Sequence, residues 1–370
     1  MGFVITALAF LLLLSVLILI HECGHFFMAR KAGVTVEEFG FGLPPRAFTV
    51  FSKGGTKFTI NWIPFGGFVR LKGENAESES DRTAPGSFGA ASIPARIAIL
   101  IAGVFMNFIF AILIFTIGFS AGKWIPTYLS YDELKTAAAR GEVQMTPSVL
   151  IDAVMEDGTA AVAGVPPLSI LTHIDGVPVR EPEDVIQLQE GKEVVTYRLQ
   201  TGESFAQQRE YRMPVTDGKT GVSIRPYPRD LTVPPRSIGT AVALSFREAK
   251  VMTVQTVLGM RQLVTSLASQ GKVPEGITGI VGIAGLTHVS VQQGFMTYLR
   301  LVALLSLSLA VLNILPLPAL DGGRLLFVLF ELVRRKPANR RFELTTNMVG
   351  FVVLITLILV ITYHDILRLF

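Results

Sequence analysis

Residues 3–27 read FVITALAFLLLLSVLILIHECGHFF, and this stretch decides the fold. Residues 3–20 carry no charge, close to the length a helix needs to cross a hydrocarbon layer about 30 Å thick. The run ends in His21-Glu22-Cys23-Gly24-His25, so an ionisable cluster closes an apolar helix. A secretory signal would show a basic leader and a small-residue cleavage site. Neither is present, and the helical pattern continues through Phe26 and Phe27, so the segment reads as a retained span.

Working outward, half of the 370 residues are hydrophobic and only 17% are charged, with a mean hydropathy of +0.50. Such a chain is not disordered, and a single cysteine, Cys23, excludes a disulfide scaffold. Three more uncharged stretches, 97–122, 301–320 and 344–363, complete four spans. The net charge of +4 does not point to nucleic acid, because it is unevenly placed. Residues 30–96 hold nine basic side chains, and Arg324, Arg334, Arg335, Lys336, Arg340 and Arg341 crowd the loop after the third span. The insert 123–236 carries twelve basic and sixteen acidic residues. By the positive-inside rule the two basic loops are cytoplasmic, and both termini and the insert lie outside.

Within the insert, residues 146–214 change to short β-branched runs separated by turns. Strands are expected at 148–154 and 170–174, a short helical segment at 159–164 and a helix at 181–189. This order, with Ala160, Ala161 and Ala163-Gly164 followed by Ile174-Asp175-Gly176, resembles a PDZ domain, although Pro167–Ser169 departs from the usual Gly-Asp. A compact extracytoplasmic spacer is the plainer reading. Residues 46–71 alternate around Lys53-Gly54-Gly55-Thr56 as a β-hairpin rich in aromatics, suited to contact with lipid or the spans. Residues 237–271 read as an amphipathic helix, either interfacial or simply on the surface, with Val242, Phe246, Val254, Val257, Val264 and Leu267 on one face. The fold expected is a polytopic α-helical membrane protein of four transmembrane helices, with a membrane-associated β-hairpin and one extracytoplasmic PDZ-like α+β domain. Its divisions are an N-terminal core 1–122, the PDZ-like domain 123–236, a linker 237–296 with the interfacial helix, and a C-terminal core 297–370.

His21 and His25 stand at i and i+4, which stacks both imidazoles on one helical face within reach of one metal. Glu22 points about a quarter-turn away, towards a water rather than the ion. An ionisable group in a span costs about 2.5–3.5 kcal/mol on insertion scales, so it usually has a function. A hydrolytic zinc site needs a third protein ligand and an open position. Lys31 stands where another zinc-protease pattern has histidine, and Glu37 and Glu38 are too close in sequence. His173, His288 and His364 fall on the outer side. Asp321 remains, after Asn313-Ile314-Leu315-Pro316-Leu317-Pro318-Ala319-Leu320, where two prolines break the helix and Gly322 and Gly323 permit unusual backbone. The bland alternatives are an interfacial His/Glu cluster and an aspartate that merely caps a turn.

These motifs closely resemble the site-2 protease family of intramembrane zinc metalloproteases, in particular its bacterial RseP-like members. The resemblance covers nearly the whole chain. It rests on HExxH in the first span, the N-x-x-P-x-P-x-L-D-G run from Asn313 to Gly322, Pro64-Phe65-Gly66-Gly67, Gly103 with Asn107, and the PDZ-like insert. It implies Zn2+ on His21, His25 and Asp321, and Glu22 as the catalytic carboxylate. The substrates implied are single-pass membrane proteins already shortened by another protease, such as anti-sigma factors or signal-peptide remnants, in a bacterial inner membrane. Val104 and Ile280 stand where many relatives have proline. Asn107 and Asn313 are candidate oxyanion or substrate contacts, with packing between spans equally open. Thr59, Ile60, Asn61 and Trp62 are candidates to hold an unwound substrate by strand addition. The competing classes are a PDZ-bearing scaffold without activity and a transporter; the latter would show inverted repeats, of which the sequence has none. The expected partners are the bilayer and such substrates, with no nucleic acid.

Overall fold

The apolar opening run folds as α1 (Gly2–Lys31), followed by β1 (Val36–Lys53), β2 (Thr56–Leu71), α2 (Glu79–Thr83) and α3 (Ile93–Ser120). Next come α4 (Tyr131–Ala139), β3 (Gln144–Val154), α5 (Thr159–Val162), β4 (Ser169–Ile174), β5 (Val177–Pro178) and α6 (Pro182–Gln189). They lead to β6 (Val194–Thr201), β7 (Gln207–Pro214) and β8 (Val222–Thr232). The chain closes with α7 (Ile238–Gln270), α8 (Ile280–Gln292), α9 (Phe295–Ile314), α10 (Asp321–Arg334) and α11 (Arg340–Leu367). This computed structural model describes residues 2–74, 76, 78–202, 205–336 and 339–368. It divides into two compact units, Met1–Ala121 with Ser237–Phe370, and Gly122–Arg236.

Among the described residues of the first unit, four helices are long and apolar enough to cross a bilayer: Val4–Lys31, Ile93–Ser120, Phe295–Ile314 and Arg340–Leu367. They fall on the four stretches anticipated from sequence. The third stops at Ile314, six residues earlier than its uncharged run, because Pro316 and Pro318 cannot continue it. Ser92 caps α3 through its side chain, and α3 then runs through the middle of the unit against α1, α7, α9 and α10. Gly24 permits the closest of these approaches. A Cβ there would overlap the Ala102 carbonyl of α3, so only glycine lets α1 come this near.

Residues 237–296, expected as a linker, pack within this unit. The face anticipated for α7 is largely its outward one: Phe246, Val254, Val257 and Val264 are 44–61% exposed. Ala241, Leu244, Ser245, Glu248 and Ala249 are buried instead, and Ser245 meets Thr116 of α3 at 3.0 Å. An apolar face turned to lipid stays outside the helix packing, because hydrocarbon is as apolar as the side chains facing it. Small and polar groups then make the better helix contacts.

The β-structure is more elaborate than a hairpin. Gly54 and Gly55 take positive φ in the turn, while both strands bend midway and fold back on one another. Residues 57–60 therefore have partners on both sides, residues 48–52 on one and 38–41 on the other. Glu38, 2% exposed, is tied inside by Arg46 at 2.7 Å and Thr59 at 2.9 Å. Burial opposes its ionisation, but Arg46, Thr59 and Arg70 outweigh that and hold its carboxyl below the usual range.

In the second unit the strand order is β7-β6-β4-β3-β8, with β5 beside β4. Val149, Ile151, Leu171, Ile174, Val195 and Leu199 form its core, with alternate residues turned inwards along β6. The sheet extends past residue 214, where the expected run of short β-branched segments ended. Pro226 and Pro228 disguise β8 as a loop, and its place at the sheet edge tolerates both.

Candidate metal centre

Three elements bring the titratable groups together. The last turns of α1 carry His21 and His25, α3 lies across them, and α10 begins with Asp321. The start of α10 is possible only through its glycines. A Cβ at Gly322 would overlap the Leu315 and Ile314 carbonyls, and one at Gly323 the Leu317 carbonyl. Ala319 takes a φ of 72° to complete the reversal. The Pro-broken segment 315–320 thus folds tightly against the root of α10 and swings Asp321 onto α1.

Asp321 Oδ2 lies 2.9 Å from His21 Nε2 and 3.3 Å from His25 Nε2, and the two nitrogens are 3.1 Å apart. His25 Nδ1 donates to the Ile99 carbonyl of α3 at 2.8 Å, which leaves its Nε2 lone pair directed at the other two atoms. Two imidazole nitrogens and a carboxylate oxygen aimed at one point need a shared proton or a cation between them. Their separations approach the edge of a tetrahedron with metal–ligand bonds of about 2.0–2.1 Å, roughly 3.3 Å. Beside them Gly103 keeps space open: a Cβ there would lie 2.5 Å from His25 Nε2 and 2.8 Å from His21 Nε2. Donor set, spacing and reserved volume all fit a zinc-sized ion.

Glu22 lines the same cavity, of about 190 Å3, together with Val69 of β2. Phe68 and Leu71 on β2, with Glu74 and Arg324 in an ion pair, form further wall. Asn313 Nδ2 is 3.5 Å from His21 Nε2. Asn107 is fully buried one turn beyond Gly103, and neither amide atom has a partner among the described residues. Cys23 is half-buried and is not part of the three-ligand cluster.

Of the four hairpin candidates, Thr59 is committed to Glu38 and Asn61 Nδ2 to the Gly42 carbonyl. Ile60 is central, and Trp62, 72% exposed, lies at the bend. Thr59 and Ile60 are therefore not a free edge, while Asn61 pairs with Arg46 alone and Trp62 with none of the described strand residues. The first half of β2, residues 57–60, is fenced by β1 on both sides because β1 folds around it. The edge that reaches the cavity is residues 67–71, paired with residues 36–41 on one side only. Sequence reasoning missed this edge, the Ile99 carbonyl and Arg324. A backbone carbonyl leaves no trace in residue type, and the Pro64–Gly67 run marked only a bend.

The fold and this site define a membrane-embedded hydrolase of the metal-dependent kind. The family model for peptidase family M50 matches residues 9–357. The zinc metalloprotease RasP of Oceanobacillus iheyensis is 29% identical over 445 residues, covering 99% of either chain. The proteins of the same name from Shouchella clausii and Bacillus licheniformis are each 26% identical, again over 99% of both chains. The chain belongs to peptidase family M50, and the resemblance to the site-2 proteases drawn from its motifs stands.

Proposed function

We propose that this peptidase hydrolyses bonds within or beside the transmembrane segments of single-pass membrane proteins, using Zn2+ held by His21, His25 and Asp321. The convergence of two Nε2 atoms and one carboxylate oxygen within 3.3 Å carries the reading. Bound zinc supplies an acidified water and polarises the scissile carbonyl. Glu22 takes the proton from the attacking water and returns it to the leaving amine. His25 is held in register by the Ile99 carbonyl. The Asn313 amide, 3.5 Å from His21 Nε2, is a candidate donor to a developing oxyanion, and Asn107, buried and unpartnered among the described residues, is a second.

A helical substrate must unwind before its amides are accessible. The 67–71 edge offers backbone pairing to such an extended segment beside Glu22. The sheet runs along α1 from Arg30, near Gly54, to Ile18 and Leu19, near Gly66 and Gly67. About twelve residues of helix separate those levels, roughly 18 Å, so the bends at 44 and 64 sit at membrane depth. The order α5, β4, β5, α6 supports a PDZ-like insert on the outer face, docking substrates or excluding those whose external part remains large. The basic loops support a metal site near the cytoplasmic side of a bacterial inner membrane.

Metal analysis of the purified full chain, paired with cleavage of a reconstituted single-pass substrate by wild type and Glu22→Gln, tests the proposal. One zinc per chain in both proteins is expected, with turnover in the variant lower by about 10³-fold. A chain that cleaves unchanged under chelation, or a fully active Glu22→Gln, would overturn it.

A further inference from the structure

α10 is divided lengthwise. Asp321, Arg324, Val328 and Glu331 recur at helical spacing on its inner face. Arg324 pairs with Glu74, Val328 is buried, and Glu331 takes two bonds from Arg96 at 2.7 and 2.9 Å. Arg96 thereby holds the Glu331 carboxyl below its usual range. On the other face Leu326, Leu329, Phe330 and Val333 are 40–82% exposed.

That outer face leads into a groove of about 500 Å3, walled by Leu326, Phe327, Phe330 and Phe342 and rimmed by Arg334 and Lys336. The Arg334 guanidinium lies 5.1 Å over the Phe330 ring, at the junction of rim and wall. No acidic residue occurs between Glu331 and Glu343. Arg340 is occupied by the Glu74 and Ala76 carbonyls and by Glu343. An apolar slot with a cationic, acid-free rim, on a protein whose spans cross a bilayer, complements an amphiphile with a negatively charged head.

We infer that this groove binds one anionic phospholipid, its phosphate at Arg334 and Lys336 and an acyl chain along Leu326, Phe330 and Phe342. A zwitterionic lipid would gain the slot but little from the rim. A second copy of the chain would gain the apolar contact and meet the same like-charged rim. The inference concerns the membrane-embedded fold and does not depend on the peptidase reading.

The full chain, reconstituted in phosphatidylethanolamine vesicles, is labelled with photoactivatable phosphatidylglycerol or phosphatidylcholine, and adducts are mapped by mass spectrometry. Phosphatidylglycerol adducts are expected on α10 and residues 334–342. Unlabelled phosphatidylglycerol should displace them, and phosphatidylcholine should not. Arg334→Gln with Lys336→Gln should weaken competition roughly 30-fold, the combined worth of two interfacial cations. Equal labelling by both probes, labelling indifferent to the double substitution, or cross-links joining two chains at the groove would each overturn the inference. The competition arm on the wild-type chain decides the matter even if the substituted protein fails to fold.

Discussion

Two buried polar clusters in this protein are handled in opposite ways. In the second unit Gln189 donates to the Tyr197 hydroxyl, which pairs with Thr220 at 2.9 Å. All three are buried and mutually satisfied, and burial pushes the Tyr197 hydroxyl up to about 12. At the end of α1 the polar groups are equally buried but unfinished. His21 Nδ1 and both Asn107 amide atoms lack partners, and Gly103 leaves open the space their neighbours face. An unsatisfied buried polar group costs about 1–3 kcal/mol, and a ligand that completes it recovers that cost. Closed networks fix a core; open ones mark chemistry.

The most damaging way to break this contrast is to fill the open cluster. Gly103→Val puts side-chain carbon against both imidazoles and should lower zinc affinity at least 100-fold, read by metal titration, while the second unit keeps its melting behaviour. Undiminished zinc binding would mean the reserved volume is incidental. Asn107→Leu sharpens the point. Removing an orphaned amide should leave stability unchanged or slightly raised, yet reduce turnover about 10²-fold with zinc retained. A variant that is destabilised and fully active would make Asn107 a packing residue.

The closed cluster should respond in the reverse sense. Tyr197→Phe strands Gln189 and Thr220 and should cost about 1–3 kcal/mol of stability by thermal or denaturant unfolding, leaving zinc stoichiometry untouched. The smallest effect concerns Glu38, a third polar group, satisfied by charge. Its folded carboxyl is depressed, so its contribution is complete above the ordinary value of 4.5 and fades as pH falls through the depressed one. Amide exchange in β1 and β2 should therefore be insensitive to pH above about 5 once corrected for intrinsic rates, with protection lost at lower pH. Glu38→Gln should remove that acid dependence.

The sequence determined the four spans, the pairing of His21 with His25, the place of Glu22 and the candidacy of Asp321. All four follow from local rules: an uncharged run long enough to cross hydrocarbon, helical periodicity, and a helix broken by proline. Tertiary structure alone decided which strand edge meets the cavity, which face of α7 turns inwards, that α10 is a helix, and that the Ile99 carbonyl orients His25. These depend on contacts between residues tens to hundreds of positions apart. Lipid also removes the polarity difference by which an inward face is recognised in water. Chain order could nominate Asp321, but only the fold could bring it across 300 residues to within 2.9 Å of His21.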